Sequence, residues 1–497
     1  MCRRKGEKRG SDRMKVSRGP LTDPNVRWTT AAAQAYLAAE PGAGRPAARV
    51  APPGRPGSGE ETDRLLADGI EHLRRGMSPQ EPYLWRSDRA TVHHDPCDAW
   101  RGAAGVLATL TRAARHRPST IDNTALDLVK QAAAWVDARL YEVSRILPGL
   151  SFGRAGTAIA LYDAAVLLGD SRLAARAVAL AHCLPVCGPN ADVTNGVSGA
   201  GLARIRLWQA TDDPVLRDDA LAGAEAVLAA ADRDGDEWRW SIPSTTGATS
   251  GTHSSYGFGH GLAGIATFLL HAAEVADRTA AAKGATPRRD DLSGLSARLW
   301  RAARGAGETL LRAARPDRGG LFWPATPDGD DRIDGLHWCN GSAGAGMFLI
   351  RLAAATGDDR FASAARRCAP AAHSLWTSPP GACCGLAGAG QLLLDLADVT
   401  GESRWRADAA RIGEVIADQA VAVDGLRISA EPDNGYAYGA GTAGVLDFLL
   451  RLRHGGPGPW LPNLRTAPAA AVADPSVSMG AGSLVNGPDR TVPIGQS

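Results

Sequence analysis

The sequence predicts an all-α fold: seven helix pairs closed into an α/α toroid, with an inner and an outer ring of helices. Three observations predict it. Gly-x-x-Gly recurs seven times ahead of an aliphatic run, at Gly102/Gly105, Gly153/Gly156, Gly196/Gly199, Gly261/Gly264, Gly341/Gly344, Gly385/Gly388 and Gly441/Gly444. Several of these runs end in one kind of turn, as in Gly169-Asp170-Ser171, Asp212-Asp213-Pro214, Gly357-Asp358-Asp359 and Gly401-Glu402-Ser403, and a second amphipathic run follows. Aromatic residues make up only 5% of the chain while glycine alone supplies 58 of 497 residues, a composition for closely packed helices rather than a β-sandwich.

Residues 1–60 hold a basic piece and a Pro/Gly/Ala/Arg-rich piece without period, and read as a disordered arm. Residues 61–455 hold the toroid. Its first element is an amphipathic helix over 62–77, with Leu65, Leu66, Ile70 and Leu73 on one face. Each Gly-x-x-Gly then opens an inner helix, apolar on all sides and so buried all round. Glycine ends that helix, and the acidic residue after it caps the next one. The second helices, over 171–183, 214–231 and 359–376, carry Arg, Asp and Glu on one side and form the outer ring. Units of this kind bury their faces only against neighbours. Short segments at 238–242, 321–323 and 426–428 read as small strands or hairpins between pairs. Residues 456–497, rich in Pro, Gly, Ala and Ser, read as a disordered tail.

Net charge is +2, which does not announce a nucleic-acid partner, and no apolar run is long enough to span a membrane. Arg3-Arg4 is not followed by an apolar stretch, so no secretion signal is read. Eight cysteines in so long a chain are too few for a disulfide framework and fit metal binding or catalysis in a reducing cytoplasm.

The chemistry gathers where cysteine stands one or two residues before the glycine pair. Cys339 lies in His337-Trp338-Cys339-Asn340-Gly341, and Cys383 and Cys384 lie in Ala382-Cys383-Cys384-Gly385. Three thiols at the mouths of neighbouring helices suit zinc, and three protein ligands leave a fourth position for a substrate. The bland alternative is buried free cysteine, which is how Cys97, Cys183, Cys187 and Cys368 are read. His260 stands at the same mouth position in the fourth unit and reads as an acid/base. Asp192, four residues before Gly196, is either a turn residue or a catalytic partner. His253, Tyr256, His337 and Trp338 are placed near the same rim.

With these residues assembled, the chain over about 95–453 resembles the lanthionine synthetase C-like proteins, the cyclases of lanthipeptide biosynthesis. The resemblance is carried by Asp95-Pro96-Cys97 with Gly102-Ala103-Ala104-Gly105, Gly257-Phe258-Gly259-His260-Gly261, His337-Trp338-Cys339-Asn340-Gly341 and Cys383-Cys384-Gly385-Leu386-Ala387-Gly388. It is nearest to the cyclase domains of class III and IV synthetases. The resemblance implies the same toroid and zinc held by Cys339, Cys383 and Cys384. It also implies His260 as acid/base with Asp192 beside it, and a dehydrated, cysteine-containing precursor peptide as substrate. A separate kinase and lyase, or a dehydratase, would supply that peptide. The family usually has histidine where Cys384 stands; some two-function synthetases use three cysteines. Single-domain cyclases carry arginine where this chain has Gly335, with Arg332 out of register, and often tyrosine where it has Asn340. Those departures keep a second expectation open, a non-catalytic peptide-binding scaffold. A carbohydrate-active enzyme on the same fold is a third, and would need paired carboxylates at the mouth.

Overall fold

A computed structural model describes residues 59–86, 95–116, 124–142, 146–243, 252–282, 287–317, 319–324, 337–373, 378–430 and 435–463. Most of the expected arm and tail, together with Arg332 and Gly335, lies outside these residues. Among them are fourteen helices and four two-stranded antiparallel hairpins.

The inner helices are α2 (Ala103–His116), α4 (Ala155–Leu168), α6 (Val197–Thr211), α8 (Leu262–Ala281), α10 (Ser342–Thr356), α12 (Leu386–Thr400) and α14 (Thr442–His454). Their outer partners are α1 (Gly59–Gly76), α3 (Thr124–Ala138), α5 (Ser171–His182), α7 (Pro214–Ala229), α9 (Pro287–Ala313), α11 (Asp359–His373) and α13 (Ser403–Asp418). Each inner helix packs on the next, and α14 packs back on α2, so the ring is closed. The outer partner of α14 is α1, the first described helix. The two ends of the fold therefore clasp each other.

The inner helices are buried as expected: on α10 every residue from Ser342 to Ala353 is buried. The first glycine of each pair stands at the mouth, as the N-cap of α6, α8, α10, α12 and α14. The second glycine has a different reason. A Cβ at Gly105, Gly156, Gly199, Gly264, Gly344, Gly388 or Gly444 would lie 1.9–2.4 Å from the carbonyl oxygen six residues earlier. Each loop folds flat onto the first turn of its own helix, and only a residue without Cβ permits that approach.

The expected turns are present. Gly169, Gly357 and Gly401 end inner helices in the left-handed region. Asp170 then accepts a hydrogen bond from the Leu173 N–H at 2.9 Å, and Asp213 one from Val215 at 2.9 Å. Glu402 departs from the expectation. It makes no cap, and its longer side chain pairs instead with Arg366 at 2.9 Å and Arg404 at 2.6 Å.

The hairpins are β1 (Asp232–Asp234) with β2 (Glu237–Arg239), β3 (Ile242–Pro243) with β4 (Thr252–His253), β5 (Arg315–Asp317) with β6 (Gly320–Phe322) and β7 (Val421–Val423) with β8 (Leu426–Ile428). β2, β3, β6 and β8 overlap the expected segments, and the partner strands β1, β4, β5 and β7 lie outside them.

A belt of charge crosses the ring inside. Asp395 on α12 meets Arg351 on α10 and Arg451 on α14, each at 2.7 Å. Asp447 on α14 meets Arg112 on α2 at 2.8 Å and also accepts from Tyr438 and Gln391. Past α14 the chain turns back through Gly455 and Gly456, both at positive φ. The carbonyls of Gly456, Pro457 and Pro459 accept from Arg451, Arg112 and Arg206, and Trp460 stands edge-on to Tyr438 at 5.1 Å. Thus 456–463 docks on the inner ring.

Candidate metal centre

The residue two places before each glycine pair has an equivalent position in all seven units. Trp100 N–H donates to Ser151 O (3.1 Å), Ser151 N–H to Thr194 O (3.2 Å), Thr194 N–H to Gly259 O (3.2 Å) and Gly259 N–H to Cys339 O (2.9 Å). Cys339 N–H then donates to Cys383 O (3.4 Å), Cys383 N–H to Gly439 O (2.7 Å) and Gly439 N–H to Trp100 O (2.9 Å). This is a closed ring of backbone hydrogen bonds, one residue per unit, around the mouth. Cys339 and Cys383 belong to the ring. His260 and Cys384 are each one residue beyond it.

The ring brings the sulfurs together. Cys384 Sγ lies 3.2 Å from Cys339 Sγ and 3.4 Å from Cys383 Sγ. His337, Cys339 and Cys384 place donor atoms all within 4.8 Å of one another, a group that could hold a metal ion. A tetrahedral zinc site with Zn–S near 2.3 Å has sulfur–sulfur edges of roughly 3.8 Å, so small movements would fit these sulfurs to the ion. The soft, anionic donor set suits it as well.

Below the sulfurs lie aromatic rings: Trp100 is 4.9 Å from Trp338 and 5.6 Å from Tyr438, and Phe258 is 5.3 Å from Trp338, centroid to centroid. The thiols share their protons unevenly. Hydrogen bonds from Cys339 and Cys384 hold Cys383 well below the ordinary thiol value, with help from Trp100 and the nearby His337. The bond to Cys383 pushes Cys339 up, the bonds to Cys339 and then Cys383 push Cys384 up, and burial adds to both. The cluster therefore yields one thiolate readily and keeps two thiols.

Across the mouth, His260 Nδ1 is 2.8 Å from Asp192 Oδ2 and 2.8 Å from Thr194 Oγ1. Asp192 is fully buried, and its other oxygen accepts from the Asn195 N–H at 2.7 Å. Burial works against the imidazolium of His260, but the hydrogen bond and charge of Asp192 outweigh it, and the net shift is upward. Cys383 also raises it, so the imidazole lies within electrostatic reach of the sulfurs. His253 is shifted down by burial and by His260.

The structure thus brings Cys339, Cys383, Cys384, His260 and Asp192 to one mouth. Sequence reasoning placed His337 only on the rim and did not single out Thr194 or Trp100. Alignment of the seven units on their glycine pairs could have flagged Thr194 and Trp100, which share the ring position of Cys339. Cys97 and Cys368 are buried away from the cluster, and burial pushes the Cys368 thiol far up. Cys183 and Cys187 are exposed.

The family model for lanthionine synthetase C-like protein matches residues 93–462. The chain belongs to the lanthionine synthetase C-like family. Among solved structures, nisin cyclase is similar at 13% identity and TM-score 0.55, covering 80% of this chain and 94% of that one. An alpha-1,2-mannosidase from Trichoderma reesei is similar at 12% identity and TM-score 0.53, covering 82% and 96%. At such identities these likenesses show the fold alone, the α/α toroid. No curated protein matches. No helix among the described residues is long and apolar enough to cross a membrane.

Family membership leaves open what the mouth does, since the toroid also serves a mannosidase. The two residues before each glycine pair supply part of the mouth's lining. They are Trp100, Arg101, Ser151, Phe152, Thr194, Asn195, Gly259, His260, Cys339, Asn340, Cys383, Cys384, Gly439 and Ala440, with no carboxylate among them. Thiol and imidazole chemistry is what this lanthionine synthetase C-like chain offers there.

Proposed function

We propose that this protein is a zinc-dependent lanthipeptide cyclase. Its substrate is a dehydrated precursor peptide, and its product carries thioether rings between cysteine and former serine or threonine residues. The observation that carries the reading is the meeting of three sulfurs from two units with the His260–Asp192 pair around one backbone ring. Cys339, Cys383 and Cys384 would hold zinc. When bound, that ion supplies a positive charge that keeps a substrate thiol ionised near neutral pH.

The chain's own residues do the rest. The substrate sulfur bonds to the β-carbon of dehydroalanine or dehydrobutyrine, and the π-electron pair moves to the α-carbon and its carbonyl. His260, protonated because Asp192 favours its charged form, gives that carbon a proton. Asp192 and Thr194 engage Nδ1 at 2.8 Å while Nε2 has only a longer, 3.4 Å contact with Thr194, so Nε2 is the better placed to hold the mobile proton. The thiol's proton restores His260, and the addition is proton-neutral overall. Trp100, Trp338 and Phe258 pack ring against ring beside the loop that carries Cys339.

The dehydrated peptide needs prior activation and elimination of hydroxyl groups, for which a separate kinase and lyase, or a dehydratase, are the expected partners. Free thiols of this kind fit a reducing cytoplasm. The competing scaffold reading rests on Gly335, where single-domain cyclases have arginine and which lies outside the described residues, and on Asn340, whose Oδ1 accepts from Ser255 at 3.3 Å where many cyclases have tyrosine.

The test incubates purified protein with a dehydrated, cysteine-containing peptide, then counts remaining thiols by alkylation and mass spectrometry. Consumed thiols with unchanged peptide mass support cyclisation. Unaltered thiols with bound peptide support the scaffold. Unchanged zinc content and ring formation in Cys384→Ala would remove the proposed centre.

A further inference from the structure

The sulfurs are not the only donors at the centre. His337 begins the loop Trp338-Cys339, and two hydrogen bonds to the Cys383 carbonyl strap that loop down, from Trp338 N–H at 3.0 Å and from Cys339 N–H at 3.4 Å. The strap holds the His337 ring against the sulfurs, with a nitrogen in the group whose members all lie within 4.8 Å. Cys383 in turn is 3.4 Å from Cys384. Three donors, the sulfurs of Cys339 and Cys384 and one imidazole nitrogen, are therefore gathered about one point, and the Cys383 sulfur adjoins them through Cys384. A tetrahedral zinc ion with bonds near 2.3 Å to sulfur and 2.0 Å to nitrogen has edges of roughly 3.5–3.8 Å, a size this group can adopt.

Resting on the zinc reading above, we propose that His337 is a fourth, displaceable protein ligand of the centre. The substrate thiolate would enter by replacing an imidazole. This differs from the three-ligand set read from the sequence. It has a chemical rationale: three thiolates already leave a zinc centre with net negative charge, and neutral imidazole completes the shell without adding to it. A substrate thiolate is the better donor for zinc and can displace it. The competition sets a threshold. Only a thiol presented at high local concentration, as by a peptide already seated in the mouth, would displace His337, while stray small thiols would be kept off.

The test is zinc K-edge X-ray absorption on the full chain carrying one zinc. The expected resting spectrum shows three sulfurs and one low-atomic-number donor with the outer-shell scattering of imidazole. His337→Ala and His337→Gln should each lose the imidazole scattering and keep three sulfurs. Titration with N-acetylcysteine should carry the wild type to four sulfurs with loss of imidazole. In the variants it should reach four sulfurs at roughly tenfold lower thiol concentration or less, because a competing state has been removed. A wild-type spectrum without imidazole, or one that His337→Ala and His337→Gln leave unaltered, overturns the proposal while leaving a three-cysteine centre intact. Fewer than three sulfurs in the wild type, or no bound zinc, would instead overturn the underlying zinc reading. The wild-type measurement does not depend on either variant folding.

Discussion

Two groups of residues at the mouth are set by their neighbours' charge, and each gives a measurable consequence. Asp192 raises the pKa of His260 above the ordinary 6.5 although burial opposes it. Such a pair contributes stability that is fully present below the unfolded pKa of 6.5 and is lost as pH rises through the higher folded value. Asp192→Asn should therefore lower the His260 pKa in an NMR titration. It should also cost more stability at about pH 5.5 than at about pH 8.5, read from urea midpoints. An equal loss at both pH values would show that Asp192 serves only as a turn residue. The sulfurs give a second prediction. At neutral pH the metal-free cluster holds protons on Cys339 and Cys384, whose values are raised, and lacks one on Cys383. Binding zinc to all three should expel about two protons, and about one in Cys384→Ala. Calorimetry in buffers of different ionisation enthalpy counts them. Release of none would mean that the thiols are not the ligands.

At the scale of the element, what the sequence shows and what it hides divide along local and non-local lines. Gly-x-x-Gly before an aliphatic run announces each inner helix because a helix start is a local event, and seven starts imply seven pairs. The cap residues Asp170 and Asp213 were legible for the same reason. The meeting of Cys339 with Cys383 and Cys384 was legible because Cys339 and Cys383 share a position in consecutive units and Cys384 follows directly. His337 was not, because its approach to Cys384 depends on the strap between two loops and leaves no periodic trace. Nor was the second glycine's purpose visible, since it meets a carbonyl that the loop itself brings back. That contact predicts the effect of Gly344→Ala. The new Cβ would fall 2.1 Å from the Trp338 carbonyl oxygen and 2.7 Å from Phe258 Cβ. Backbone cannot swing aside as a side chain can, so the expected cost is about 2–3 kcal/mol by urea denaturation. Because Trp338 precedes Cys339, zinc affinity should fall as well. Gly294→Ala, in a helix interior where nothing lies within 4 Å, is the control; it should leave zinc affinity unchanged and raise stability by up to about 1 kcal/mol. A neutral Gly344→Ala would mean that the loop is not held against its helix.

For the whole molecule the question is what keeps the ring shut. Six of the seven junctions join inner helices of neighbouring units, but α14 against α2 joins the far ends of the chain, and loop-closure entropy opposes it most. Two devices hold that junction. Outside, α1 covers α14, with Arg453 and Asp63 paired at 3.1 Å on the exposed surface, where such a pair adds little. Inside, Asp447 on α14 meets Arg112 on α2 at 2.8 Å, and Tyr438 and Gln391 donate to its other oxygen. Asp447 is wholly buried. Removing its carboxylate would strand a largely buried guanidinium as well as a phenol and an amide. Asp447→Ala should therefore cost about 3–5 kcal/mol. The loss should not stay local, because Tyr438 stands on Trp100 and the Gly439 N–H closes the backbone ring on the Trp100 carbonyl. A loosened seam should lower zinc affinity at sulfurs four and five units along the chain from α2, although none bonds to Asp447. Replacing both partners, as Arg112→Met with Asp447→Leu, removes the stranded charge and should recover much of the stability. If Asp447→Ala unfolds within about 0.5 kcal/mol of the wild type, the closure must rest on apolar packing of α14 against α2 and α1, and the charged belt would be incidental to it.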